Sequence, residues 1–500
     1  MVPEPTAGTY PGARRRTTGG HQFSLFVSER KLLLALFDLL LLNAAFGISL
    51  HLRAVSDPAF RLAPTPAPGK FFWFALLSLL YVMSALIIGA YDLVRAASIR
   101  RSIGHAAVAL CLAWTAFLFI PFLTPTLPPS RLHVVLFPIV GILGLSVWRL
   151  IYALVFAHPN FQQRALVIGA GGAGQTLVAA IREASRGQKP DGTPRGGKSG
   201  LGYSVLGFVD DAIALNTTIE GVTVAGNRDD LERLVGELKI NEIVVAITHL
   251  ETLHPELLES IQRCREWGVS VTTMADLYER MSGRVPIEHA GSTLAVAMPI
   301  VQKPTHRFYL VVQRVIDIVG ALVGCVLLGL FIPGVWLANR LGSPGPLFYC
   351  QERVGRGGYP FQIVKFRSMR VDAEKFGAVW AQENDPRITP IGKFLRGSRL
   401  DEFPQFVNIL KGDMSLIGPR PERPQFVSQL TREIPFYRVR HAVKPGLTGW
   451  AQVKYRYGAS VEDSLVKLQY DLFYIKRQSL LLDLEIMFKT IPIITGFKGR

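Results

Sequence analysis

Four apolar stretches dominate the first third of the chain, near residues 32–52, 71–91, 104–124 and 132–157. Each is close to the roughly 20 residues that an α-helix needs to cross hydrocarbon, so the pattern predicts four transmembrane helices over 29–158. Residues 1–28 lack this periodicity, are rich in Pro, Gly, Thr and Arg, and read as a disordered basic tail. From about 159 to 304 the period shortens. Strand-length runs such as ALVIG at 165–169, VLGFVD at 205–210 and EIVVAI at 242–247 alternate with helical segments, which predicts a Rossmann-like α/β domain with a largely parallel sheet. The stretch 186–200 is a loop by composition. A fifth apolar run fills about 310–338 and carries Arg314, Asp317 and Pro333, and a basic region then continues to the end of the chain, so that 305–500 forms a third part.

Charge changes this picture in two ways. The 500 residues hold 55 Lys and Arg against 38 Asp and Glu, a net charge of +17, which suits phosphate-bearing partners without choosing among lipid head groups, nucleotide diphosphates and nucleic acid. Its distribution also orients the helices. Arg14, Arg15, Arg16, Arg30 and Lys31 precede the first helix, and Arg95, Arg100 and Arg101 lie between the second and third, which places those sides in the cytoplasm together with the two later domains from residue 158 onward. The four cysteines show no metal-ligand spacing and no paired framework, so neither a disulfide nor a structural zinc is expected.

Two candidate sites emerge. In the middle domain Gly169, Gly171 and Gly174 follow a strand and open a helix, the context in which bare backbone lets a pyrophosphate approach a helix N-terminus, and Asp210 or Asp211 could close on a ribose. NAD or another nucleotide would fit such a loop; close strand-to-helix packing with no ligand explains the same glycines. In the last third, Arg353, Arg356, Lys365, Arg367 and Arg370 surround a glycine-rich turn, and the adjacent carboxylates Asp401 and Glu402 come after it, with arginines at 387, 396, 399 and 420. A carboxylate can attack phosphorus and form an acyl phosphate while its neighbour helps to hold Mg²⁺ on a pyrophosphate; a helix start explains the same pair.

The segments LDEFPQFVNILKGDMSLIGPRP at 400–421, KPGLTGWAQV at 444–453 and YDLFYIKRQSLLLDLEIMF at 470–488 resemble the bacterial sugar transferases, the polyprenyl-phosphate phosphoglycosyl transferases, over about 305–495. The order of membrane helices, glycine-loop domain and catalytic region resembles the large members that initiate exopolysaccharide, capsule or O-antigen assembly. The resemblance implies a monotopic, helix-rich catalytic domain on the cytoplasmic face of a bacterial inner membrane. It also implies a re-entrant helix over 310–338 that breaks at Pro333 and leaves on the side it entered, although Gln313–Arg314 and Ile332–Pro333 depart from the usual Lys-Arg and Ser-Pro pairs. Asp401 is then the nucleophile, Glu402 its partner with Mg²⁺, Lys365, Arg367, Arg387 and Arg420 the diphosphate ligands, and Pro445 to Gly449 a wall of the nucleotide pocket. The implied substrates are a UDP-sugar, with glucose or galactose favoured, and undecaprenyl phosphate; membrane lipid is a partner, a homo-oligomer is open, and nucleic acid is not expected. Two other readings stand beside this one. A membrane-tethered NAD-dependent nucleotide-sugar dehydratase or epimerase would centre on the glycine loop, but 175–300 offers no Tyr followed three residues later by Lys. A non-enzymatic assembly scaffold would leave the carboxylate pair unexplained.

Overall fold

The computed structural model describes residues 27–56, 69–91, 93–96, 98–120, 124, 131–155, 163–186, 203–247, 254–289, 304–373, 385–455 and 460–495. The tail expected over 1–28, apart from its last two residues, and nearly all of the loop expected over 186–200 lie outside them. The four predicted membrane helices are α1 (Val27–Ser56), α2 (Lys70–Ile88), α3 (Ile99–Leu118) and α4 (Arg131–Val155), all long and apolar enough to cross a bilayer. Leu34, Phe46, Leu77, Tyr81, Leu110, Phe117 and Phe137 fill the space between them. Helix α2 stops at Gly89, whose left-handed conformation lets its N–H reach back to Leu86.

One charged cluster crosses this apolar bundle. Arg149 of α4 forms an ion pair with Asp38 of α1, both with fully buried side chains. Tyr81 of α2 donates to Asp38 Oδ2 at 3.0 Å, and Arg149 Nη1 donates to the Ala90 carbonyl at 2.8 Å. With no water to share, each member depends on the others, and together they fix the register of three helices.

The middle domain is a six-stranded sheet in the order β3-β4-β2-β1-β5-β6, with β1 (Gln163–Ile168), β2 (Tyr203–Val209), β3 (Thr218–Ile219), β4 (Val222–Gly226), β5 (Glu242–Val245) and β6 (Ser270–Thr273). Every ladder is parallel except β3 with β4. Helices cover both faces, as continuous apolar strands require. On one face lie α5 (Gly172–Arg186) and α8 (Met274–Ser282), and on the other α6 (Leu231–Glu237) and α7 (Pro255–Glu266).

The third part begins with α9 (Pro304–Gly342), a helix of 39 residues. It is described as one element that runs through Pro333, so the interruption expected there is not seen, although Pro333 has no N–H to give to the turn before it. Its buried positions Asp317, Ala321, Leu328, Val335 and Asn339 form one stripe against the catalytic region, while Val311, Val315, Val319, Leu322, Val326, Leu330 and Leu337 are exposed. Packing is close along this stripe. A Cβ on Gly320 would lie 2.6 Å from Leu416, and one on Gly324 would lie 2.4 Å from Phe406. After α9 come the hairpin β7 (Phe348–Val354) and β8 (Pro360–Phe366), α10 (Pro390–Gly397), α11 (Gln405–Lys411), and the parallel pair β9 (Ser415–Ile417) and β10 (Gly446–Thr448). The helices α12 (Pro424–Glu433), α13 (Trp450–Lys454), α14 (Val461–Arg477) and α15 (Leu480–Thr495) complete it. Helix α15 rests on membrane helix α2. The buried Glu279 of α8 pairs with Lys476 at 2.7 Å and Arg477 at 3.4 Å of α14, tying the middle domain to the third part.

Candidate active site

Asp401 and Glu402 sit on a single 3₁₀ turn, Leu400–Glu402, between α10 and α11. The residue before it, Arg399, takes a left-handed conformation with φ 62°, a strain of about 1–2 kcal/mol for a residue with a Cβ. That sharp reversal turns both carboxylates into the protein, where they are buried. The apolar neighbours of the turn, Leu400 and Phe403, pack with Leu328 and Val335 of α9, and Phe403 meets Phe331 edge-on at 5.7 Å. The long apolar helix is therefore the floor beneath the dyad.

Cations differentiate the two acids. Arg420 Nη2 donates to Glu402 Oε1 at 2.5 Å, and Arg399 stands 3.7 Å from the same oxygen. Burial pushes the Glu402 carboxyl upward, but Arg420, Lys365 and Arg399 more than reverse it, and it is held below the ordinary carboxylate range. Asp401 moves the other way: burial and the adjacent Glu402 charge raise it, against the opposing pull of Lys365, Arg396 and Arg420. Lys365, on β8, is lowered to about 8 by desolvation, with Glu402 pulling it up and Arg420 and Arg353 pressing it down. One carboxylate is thus kept ionised by its clamp, and the other holds its proton more readily.

The remaining expected residues divide. Arg420 and Lys365 join the dyad. Arg367 does not: its guanidinium binds the Pro346 carbonyl at 2.7 Å, Ser343 Oγ at 3.2 Å and the Ser343 carbonyl, fastening the end of α9 to β8. Arg387 is likewise turned to a structural task, gripping Asp385 through two nitrogens and the Ala373 carbonyl at 3.2 Å, and it holds the Asp385 carboxyl down at about 2. Arg396 and Arg399 add their charge to the dyad, the first acting on Asp401 and the second on Glu402. Pro445 lines a concavity beside Arg420. Gly449 serves packing, since a Cβ there would lie 2.2 Å from the Gly418 carbonyl oxygen.

Sequence reasoning passed over Asn408. Its amide donates to the Gln362 carbonyl at 2.7 Å and accepts from Val364 N–H at 3.1 Å, pinning the Lys365 strand to the helix that comes after the dyad. Arg314, on α9, donates to the last carbonyls of α11, Ile409 and Leu410, at 2.7 and 2.8 Å. Only its place in an otherwise apolar run signalled a role there.

In the middle domain, Gly169 and Gly174 are required by close contact. A Cβ on Gly174 would lie 2.1 Å from the Gly169 carbonyl oxygen, and Gly169 has φ 98°. Gly171 faces open space, so packing does not demand it. Asp210 is engaged within the loop itself. Its carboxylate accepts from the N–H groups of Ala170, Ala212 and Ile213 at 2.7, 2.9 and 3.1 Å.

With this geometry in place, comparison with known proteins gives a consistent picture. The family model described as bacterial sugar transferase matches residues 308–496, and one described as CoA-binding domain matches 86–275. Over 371 residues the chain is 31% identical to the UDP-glucose:undecaprenyl-phosphate glucose-1-phosphate transferase of Escherichia coli, covering 71% of this chain and 75% of that protein. The chain belongs to the bacterial sugar transferase family. Among sugar transferases it is also 43% identical over 261 residues to the UDP-N-acetylgalactosamine-undecaprenyl-phosphate N-acetylgalactosaminephosphotransferase of Aeromonas hydrophila, covering 52% of this chain and 60% of that one. A Xanthomonas campestris transferase named for UDP-glucose is 34% identical over 303 residues, covering 60% of this chain and 62% of the relative. The match therefore spans about three-fifths of the length of two of these three sugar transferases.

Proposed function

We propose that this protein transfers a hexose 1-phosphate from a UDP-sugar to undecaprenyl phosphate at the inner face of a bacterial inner membrane, initiating assembly of a surface polysaccharide. The observation that carries this reading is the asymmetric dyad: Glu402 clamped and ionised by Arg420 and Arg399, with Asp401 buried beside it and raised. An Asp401 oxygen attacks the sugar-bearing phosphorus, the bond to the bridging oxygen breaks, and UMP leaves with that electron pair. A phosphate oxygen of undecaprenyl phosphate then attacks the same phosphorus, returning the Asp401 carboxylate and giving a lipid diphosphosugar. Arg396, Arg420 and protonated Lys365 offset the charge that gathers on the transferred group.

Two carboxylates suit magnesium, which is typically held by one or two protein oxygens together with substrate phosphates; Asp401 and Glu402 would hold it, and it would neutralise the diphosphate. The sugar is glucose or galactose by the sequence reading, and the name of the Aeromonas relative adds N-acetylgalactosamine to the panel to be tried.

Although α9 runs unbroken through Pro333, its contacts support a path that keeps both its ends on one side of the membrane. Arg314 and Asp317 near its start bind α11 and β9, its middle lies beneath the dyad, and Ser343 at its end is fastened by Arg367. At 1.5 Å per residue its 39 residues extend about 58 Å. Spanning would draw these polar partners into hydrocarbon, whereas lying in one leaflet leaves them at the surface. The test of the covalent step omits the acceptor: radiolabelled UDP-sugar should label the wild-type protein with release of UMP, and Asp401→Asn should remain unlabelled while folding normally. Equal labelling of both proteins would remove Asp401 from the mechanism.

A further inference from the structure

Arg420 lies in the stretch Gly418, Pro419, Arg420, Pro421, Glu422, where the alternate prolines have no N–H to give. Such a stretch cannot extend the β9 strand as a regular ladder, yet it must hold Arg420 where its guanidinium reaches Glu402. The successive carbonyls show how this is done. At the ends the donors are backbone: the Pro419 carbonyl accepts from Gly446 N–H at 2.9 Å, and the Glu422 carbonyl from Val354 N–H at 2.9 Å. Between them the donors are side chains. Arg353 Nη1 donates to the Pro421 carbonyl at 3.1 Å, and Arg440 Nη2 donates to the Arg420 carbonyl at 2.9 Å.

Arg440 is the more deeply buried of these two arginines. It is 7% exposed and is paired at 2.9 Å with Asp471 of α14, itself 2% exposed, while its other terminal nitrogen donates to the Tyr437 hydroxyl. A buried ion pair is a poor source of stability, because apolar residues of similar size often serve as well or better. What an apolar pair cannot supply is a donor aimed at a carbonyl. The guanidinium carries five N–H groups in one rigid plane, so Asp471 and Tyr437 fix its orientation while Nη2 reaches the Arg420 backbone.

From this geometry we infer that Arg440 and Asp471 are positioning residues for the transfer: they fix the backbone of Arg420 so that its guanidinium stays on Glu402. Their bonds go to Arg420, Tyr437 and each other, so they act on the dyad through Arg420. The inference deepens the proposed transfer and rests on it for the work that Arg420 does; the placing of Arg420 rests on the contacts alone.

Two variants of the full-length protein in detergent test this. Arg440→Lys keeps the charge beside Asp471 and loses the planar fork. With saturating UDP-sugar and undecaprenyl phosphate it should lower kcat about 10-fold, the equivalent of about 1.4 kcal/mol, and leave both KM values within about twofold. In an Arg420→Ala background the same substitution should lower kcat no further. Arg440→Met combined with Asp471→Leu removes the donor without leaving a lone charge, so it should unfold near the wild-type temperature, show the same loss of kcat, and carry the test if the Lys variant fails to fold. Unfolding gives a reading that needs no activity. Arg420→Ala should lower the unfolding temperature less in the Arg440→Lys or the paired apolar background than in the wild type, because the clamp on Glu402 is already loosened there.

Wild-type kcat in either folded variant, or equal losses of kcat with and without Arg420, overturns the assignment. Additive unfolding temperatures overturn it too. A wild type that forms no lipid product, while the unfolding temperatures keep this dependence, would sink the transfer reading and leave the positioning of Arg420 standing.

Discussion

Arg420→Ala separates the two roles given to the dyad. Arg420 touches Glu402 through both terminal nitrogens, at 2.5 and 3.4 Å, and its removal leaves Lys365 and, at 3.7 Å, Arg399 as the remaining cations. Removing one partner from a buried ion pair costs about 3–5 kcal/mol. The Arg420 side chain is 28% exposed and Arg399 remains, which places this case nearer about 2–3 kcal/mol. At 1.36 kcal/mol per pK unit, the Glu402 carboxyl should rise by about 2 units. Asp401 feels the same lost charge less strongly, as Arg420 hydrogen-bonds Glu402 and acts on Asp401 by charge, so the pair as a whole should hold its last proton to a pH about one unit higher. Transfer requires the ionised nucleophile, and activity on the acid side rises as that proton leaves. The acid limb of the pH dependence of kcat, measured with saturating UDP-sugar and undecaprenyl phosphate, should therefore move to higher pH in the Ala variant, with kcat reduced on the plateau. An acid limb that stays in place or moves to lower pH would refute the claim that Arg420 sets the charge of the dyad.

Other consequences can be measured independently. Lys365, held at about 8, should produce a fall in activity above that pH as its charge on the transferred group is lost; Lys365→Arg, which stays charged, should retain activity and remove that limb, and an unchanged limb would exclude Lys365 as its origin. Asp38→Asn leaves Arg149 buried without its counter-charge and should destabilise the membrane bundle by about 3–5 kcal/mol in detergent unfolding, whereas replacing both residues by apolar ones of similar size should recover much of the loss. A single-mutant effect below about 1 kcal/mol would mean that the pair is not needed for the bundle. Single cysteines at 305 and 345, in a background lacking Cys111, Cys264, Cys325 and Cys350, should both be shielded from an impermeant thiol reagent outside intact spheroplasts; labelling at 345 alone would show that α9 spans.

The parts legible in the sequence were those fixed by short-range pattern. Twenty-residue apolar runs have few alternatives to membrane helices, and the glycines before α5 mark a strand-to-helix turn whatever binds there. The dyad was legible because the residues around it form a long, specific motif. Charges whose partners lie far along the chain were not legible. Arg367 and Arg387 stand in basic segments that look alike in one dimension, yet the fold gives the first to Ser343 and the second to Asp385, while Arg420 reaches Glu402 across 18 positions. Asp210 has the identity expected of a ribose ligand, but backbone N–H groups lie closer and take its oxygens. Asp38 was visible as an anomaly in α1, and only the fold brings Arg149, 111 positions away, to answer it.

The central claim is that a sugar phosphate, and not a sugar alone, passes from nucleotide to lipid. Membranes carrying this protein, supplied with undecaprenyl phosphate and UDP-sugars labelled in turn in glucose, galactose and N-acetylgalactosamine, test it by following both products. The account predicts that one labelled sugar becomes chloroform-soluble with an equal amount of UMP released, and that Asp401→Asn abolishes both. Release of UDP in step with a labelled lipid would show glycosyl transfer without the phosphate, and no labelled lipid from any of the three sugars would contradict the account.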